Sequence, residues 1–83
     1  MTKAPTPRKT ARQARAKATR AAILEGAARI LEDSDAADLT TNRIAERAGV
    51  SVGSLYQYFS NKEAILAEIL RESRAALLRA VQE

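Results

Sequence analysis

The stretch from Leu39 to Lys62 leaves this chain little choice of fold, because it sets two short capped helices at a sharp turn and opens a third. Thr40 or Thr41 supplies a side-chain oxygen for the orphan amides of a helix predicted over Thr41 to Ala48, with Ile44, Ala45 and Ala48 facing inward. Gly49 follows as the left-handed residue that stops this helix, and Val50 offers the apolar contact that accompanies such a stop. Ser51 caps the next segment, predicted over Val52 to Phe59, where Leu55 and Phe59 lie four residues apart on the inward side. Ser60, Asn61, Lys62 and Glu63 read as an S-x-x-E capping box for a last helix. Two short helices joined through Ala48-Gly49-Val50 have the layout of a helix-turn-helix, whose second helix can enter the major groove of DNA.

The flanks supply the rest of a small all-α domain. Ile23, Ala27, Ile30 and Leu31 recur at helical spacing, widened by Leu24 and Ala28, and predict a first helix from about Lys17 to Asp33. Gly26 inside it costs on the order of 1 kcal/mol relative to Ala and either admits a close neighbour or has no role. Ser34 and Asp35 end the helix. The last helix is predicted from Asn61 or Lys62 nearly to the end, with Ile65, Leu66, Ile69, Leu70, Leu77, Leu78 and Val81 as its apolar positions. Leu77, Leu78 and Val81 have no partner left in so short a chain, which leaves fraying, a second copy or a further domain to account for them. With 83 residues the chain holds one domain.

Charge is divided along the chain. The first 20 residues carry Lys3, Arg8, Lys9, Arg12, Arg15, Lys17 and Arg20 and no acid, whereas residues 21–83 hold seven basic and ten acidic groups, a net −3. Attraction to a polyanion therefore resides in the N-terminal segment. Pro5, Pro7 and the absence of apolar periodicity predict disorder to about Lys9, and Ala11 to Thr19 has helix propensity but nothing large and apolar to anchor it. Cys and His are both absent, which removes thiolate and imidazole chemistry, the usual metal ligands and the common general base. No enzyme, cofactor or metal is expected. No apolar run approaches the ~20 residues of a membrane span, and the basic N-terminus lacks the apolar core of a signal peptide, so a cytoplasmic protein is expected.

Candidate DNA-facing residues cluster in and around the second short helix. Gln57 can pair with the N6/N7 edge of adenine, and Val52 can meet a thymine methyl. Gly53 lets the backbone approach a duplex, Ser54 can donate to phosphate or base, and Tyr56 and Tyr58 present phenolic hydroxyls to phosphate. Ser51 and Thr41 stand at helix N-termini, with Asn42 and Arg43 in the same first turn as Thr41. Lys62 opens the last helix, where a cation opposes the helix dipole and would be better placed against an anion. Singly, each of these reads as an ordinary surface or packing residue; in this order between two capped helices they read as a DNA interface.

Ile23, Ala27-Ala28, Leu39-Thr40-Thr41, Ile44-Ala45, Ala48-Gly49-Val50-Ser51, Gly53, Leu55-Tyr56, Tyr58-Phe59, Lys62-Glu63 and Leu66 resemble the N-terminal domain of the TetR family of bacterial transcriptional repressors. The resemblance covers roughly Arg20 to Leu70. It implies a three-helix, homeodomain-like helix-turn-helix bundle followed by the start of a fourth, linking helix. Residues 1–16 would form a disordered basic arm, 17–70 the DNA-binding domain with its helix-turn-helix at 40–59, and 71–83 the link to a regulatory domain outside this chain. It also implies that Thr41, Ser51 to Ser54, Tyr56, Gln57, Tyr58 and Lys62 face DNA. Asp35 stands where many members carry Gly, and Asp tolerates left-handed geometry, so the turn is expected to survive there.

The leading expectation is a repressor that binds double-stranded DNA sequence-specifically, with residues 52–58 in the major groove and the N-terminal arm along a minor groove or the backbone. A palindromic operator follows if the protein is dimeric, through the last helix or a C-terminal domain. One alternative is a truncated interaction protein that forms hetero-oligomers with a full-length relative. Another is a non-specific polyanion binder acting through the basic arm, which lacks the large apolar face needed to lie in a membrane surface.

Overall fold

The computed structural model describes residues 7–82, with side chains described over 11–81. Those residues form four α-helices, α1 (Pro7–Asp33), α2 (Thr41–Ala48), α3 (Val52–Tyr58) and α4 (Lys62–Gln82), with a 3-10 turn over Ala36–Asp38 and no strand. α2 and α4 both pack against α1, and α3 packs against α2.

The core forms where the inward faces of the elements meet: Ile23, Leu24, Ala27 and Ile30 of α1, Ile44 and Ala45 of α2, Leu55 of α3, Phe59 just beyond it, Ile65 of α4, and Leu39 from the connection. Ile23, Leu39, Ile44, Leu55 and Ile65 are fully buried. Each such side chain contributes about 1.5–3 kcal/mol, so α3, with one buried residue, is held mainly by Leu55 and the adjacent Phe59. Leu39 follows no helical period, which is why periodicity overlooked it.

Three local expectations need correction. α1 begins at Pro7 rather than near Lys17, so the arm expected to be disordered over 1–16 is helix from Pro7 onward, while residues 1–6 lie outside the described residues. Pro is well suited to a first helical position, and Ala, Arg, Gln and Lys extend a helix readily once the packed half at 23–30 has nucleated it. Asp35 is extended, at φ −77° and ψ 160°, not left-handed. The reversal is made instead by the 3-10 turn, where the Asp38 amide donates to the Asp35 carbonyl at 2.9 Å and the Leu39 amide to the Ala36 carbonyl at 3.0 Å. Finally, the Ser60–Glu63 capping box does not cap α4. Asn61 does, its Oδ1 accepting from the Ala64 amide at 2.8 Å, because the chain turns helical one residue later than the box requires.

Gly26 does admit a close neighbour. A methyl group there would sit 3.3 Å from the Ala48 backbone nitrogen and 3.4 Å from the Ile44 carbonyl oxygen, so α2 lies against the bare backbone of α1. The ends of the two long helices stand clear of the core. The radius of gyration is 15.6 Å, against about 12 Å for a compact chain of this length. No helix among the described residues is long and apolar enough to cross a membrane.

Candidate nucleic-acid interface

The two short helices are fixed by their ends. Thr40, extended at φ −124°, caps α2 by accepting from the Arg43 amide at 3.1 Å. At the other end Gly49 has φ +77°, the one left-handed residue among those described, and the Val50 amide donates to the Ala45 carbonyl at 3.0 Å. This closure satisfies the last carbonyls of α2 and redirects the chain into α3 within two residues. Ser51 then caps α3, its Oγ accepting from the Ser54 amide and donating to the Ser54 hydroxyl, both at 3.0 Å. Ser54 is thereby left with its own hydroxyl proton free to donate outward.

With Leu55 and Phe59 buried, α3 turns Val52, Gly53, Tyr56 and Gln57 to solvent, and their i, i+4 spacing places them on one face. Tyr56 is half exposed, and its hydroxyl makes a 2.9 Å hydrogen bond with Thr41 Oγ1. That bond ties the start of α2 to the middle of α3 and leaves one hydroxyl proton of the pair free. Gly53 has no structural reason to be glycine. Its φ is not left-handed, and an added methyl group would meet nothing nearer than Ser51 Oγ at 3.9 Å.

The other candidates are placed unevenly. Asn42 and Ser51 are exposed, and Lys62 is half-buried at the first position of α4. Arg43 is exposed but leans back to Asp38 at 3.6 Å, while Arg47 pairs with Asp33 at 3.3 Å. Tyr58 is half-buried and lines a 450 Å³ groove with Gln13, Ala16, Lys17 and Arg20 of α1. Gln13 and Ala16 belong to the arm expected along a minor groove or the backbone, and Lys17 and Arg20 to the run of basic residues without an acid, but the sequence predicts no contact between this segment and Tyr58. Arg20 also holds the end of α3 to α4. Its guanidinium lies 5.3 Å from the centre of the Phe59 ring and 2.9 Å from the Glu68 carboxylate, with Glu72 at 3.7 Å. Hydrogen bonds from Arg71 and Arg20 hold the Glu68 carboxyl below the usual glutamate range.

Residues 23–69, from the buried half of α1 through the inner half of α4, match the family of bacterial regulatory proteins of the tetR type. The chain belongs to the tetR family. Over 61 residues it is 30% identical to the fatty acid metabolism regulator protein of Bacillus subtilis, covering 74% of this chain and 31% of that protein. It is 43% identical over 49 residues to the HTH-type transcriptional regulator EthR of Mycobacterium tuberculosis (59% of this chain, 23% of the relative). The tetracycline repressor protein class C of Escherichia coli is 44% identical over 50 residues, with 60% and 23% covered. The chain thus spans less than a third of the length of these tetR-family relatives. No solved structure gives a significant match.

Proposed function

We propose that the chain is the sequence-specific DNA-binding unit of a tetR-family transcriptional repressor, acting in the bacterial cytoplasm, with α3 seated in the major groove of an operator. The observation that carries this reading is the outward face of α3, where Gly53 stands bare beside Val52, Tyr56 and Gln57 although the fold itself makes no use of a glycine there. Gly53 lies in the first turn of α3, where glycine is disfavoured relative to Ala by at most about 1 kcal/mol, and close approach of a partner's surface offsets that cost. Gln57 reads a base edge and Val52 a thymine methyl, while Ser51, Ser54, Tyr56 and Tyr58 take phosphates. Thr41, Asn42, Arg43 and Lys62 extend the phosphate contacts to either side.

A second reading, association with another copy or with a relative, is favoured by one feature. Leu70, Leu77, Leu78 and Val81 occupy an outward face of α4, distinct from buried Ile65, and are 55–75% exposed. The two readings are compatible, and one experiment addresses both. Selection from a random duplex pool, at low and near-physiological salt, is expected to enrich a defined site: an inverted repeat if two copies associate, a single half-site if they do not. Gln57→Ala then changes base preference at one position by about 1–3 kcal/mol. Lys62→Ala weakens all sequences alike and lowers the salt slope by about 0.9. Binding with no enriched sequence, lost at higher salt, would defeat the repressor reading and leave a non-specific polyanion binder.

A further inference from the structure

We propose that the N-terminal half of α1 is a rigid phosphate-binding strut that lies along the DNA backbone beside the site read by α3, an assignment that rests on α3 being the DNA-facing helix. Position is the first argument. Gln13, Ala16 and Lys17 share a groove with Tyr58, the last residue of α3, so this part of α1 emerges next to the end of the recognition helix. Charge is the second. Arg12, Arg15 and Lys17 are exposed and, like Lys62, Arg74 and Arg79 further along, have no carboxylate partner among the described residues, whereas Arg20, Arg29, Arg43, Arg47 and Arg71 are each ion-paired. The acids of the molecule all lie at Glu25 or beyond.

Helicity decides which part of the duplex these cations meet. An α-helix with its side chains is about 10–12 Å across, and the minor groove of B-form DNA is about 6 Å wide. A disordered arm enters such a groove; a helix does not, and its long basic side chains meet the phosphates from outside. A lipid surface is a poor alternative, since residues 11–19 contain only Ala, Arg, Gln, Lys and Thr and have no apolar face to insert. The strut precedes the stretch that matches the family, which begins at residue 23.

The test compares the full chain with R12Q/R15Q/K17Q and with Ala14→Pro, titrating each against the selected duplex and an unrelated one between 50 and 200 mM salt. Circular dichroism and thermal melts check that the core, which begins at Ile23, is intact. Arg12 and Arg15 lie about 60° apart around the helix and Lys17 on its other side. Loss of about two to three phosphate contacts is therefore expected to make the slope of log K against log salt shallower by about 1.8–2.7, equally on both duplexes, with base preference unchanged. Ala14→Pro keeps every charge but interrupts the helix, and is expected to weaken binding in the same sequence-independent way. An unaltered slope in the triple variant would overturn the strut. So would wild-type binding by Ala14→Pro, or a loss confined to A·T-rich flanks, since either outcome describes a flexible arm in the minor groove. Failure of the unmodified chain to prefer any sequence is a different result and defeats the α3 reading instead.

Discussion

At Gly53 the needs of the fold and of a partner separate. A methyl group there has room, at 3.9 Å from its nearest neighbour, and would improve helix propensity. Gly53→Ala, in the first turn of α3, is therefore expected to raise thermal stability by up to about 0.5 kcal/mol while weakening binding to the selected duplex. Melting curves and a DNA titration on the same sample check both halves, and a variant that binds as well as the parent removes the argument for close approach. Gly49 is the opposite case, since its φ of +77° is a requirement of the turn between α2 and α3. Its role was legible from position alone, one residue past the last apolar residue of a capped segment. The hydroxyl pair of Thr41 and Tyr56 was not legible, because it joins residues fifteen apart through the angle at which two helices cross.

Among the elements, α2 and α3 appear at the boundaries their caps predicted, with α3 one residue shorter, because short-range hydrogen bonding by Thr40, Ser51 and Gly49 sets those boundaries. α1 shows what caps and periodicity miss. Its start depends on propagation from a packed half, so a segment without apolar residues becomes helix back to Pro7. The crossing of α1 and α2 rests on Gly26. Gly26→Leu drives a side chain toward the Ala48 backbone and is expected to destabilise the fold by about 1–3 kcal/mol or more despite the better helix propensity of Leu. That lowers the melting temperature by roughly 4–8 °C per kcal/mol in a domain of this size. A rise in melting temperature would mean that α2 can move aside at little cost.

On one side of the molecule a surface ion-pair cluster links three elements. Arg20 lies on Phe59 and pairs with Glu68, which Arg71 also holds, so α1, the end of α3 and α4 share one cluster. Because the folded state holds the Glu68 carboxyl below its usual range, the unfolded chain binds the proton more readily. The stabilisation is complete above the ordinary glutamate pKa of about 4.3 and is lost as the pH falls through the lower folded value. Melting temperature is therefore expected to drop as the pH falls below the ordinary glutamate range in the native chain, and to drop less in Glu68→Gln. Equal pH profiles would show that the cluster adds nothing to stability.

The amino-acid order alone determined the capped helix pair, its left-handed turn, the buried positions at helical spacing and the concentration of positive charge in the first 20 residues. All of these follow from hydrogen bonds and periodicities that span a few residues. Tertiary structure decided that Leu39 closes the core, that Gly26 is a contact point, that Asn61 and not Ser60 caps α4, and that Arg20 joins three elements. It also turned the basic segment from an arm into the helical start of α1, with Gln13, Ala16 and Lys17 beside Tyr58. Each of those outcomes depends on which surfaces meet across long separations in sequence, and no local pattern carries that information.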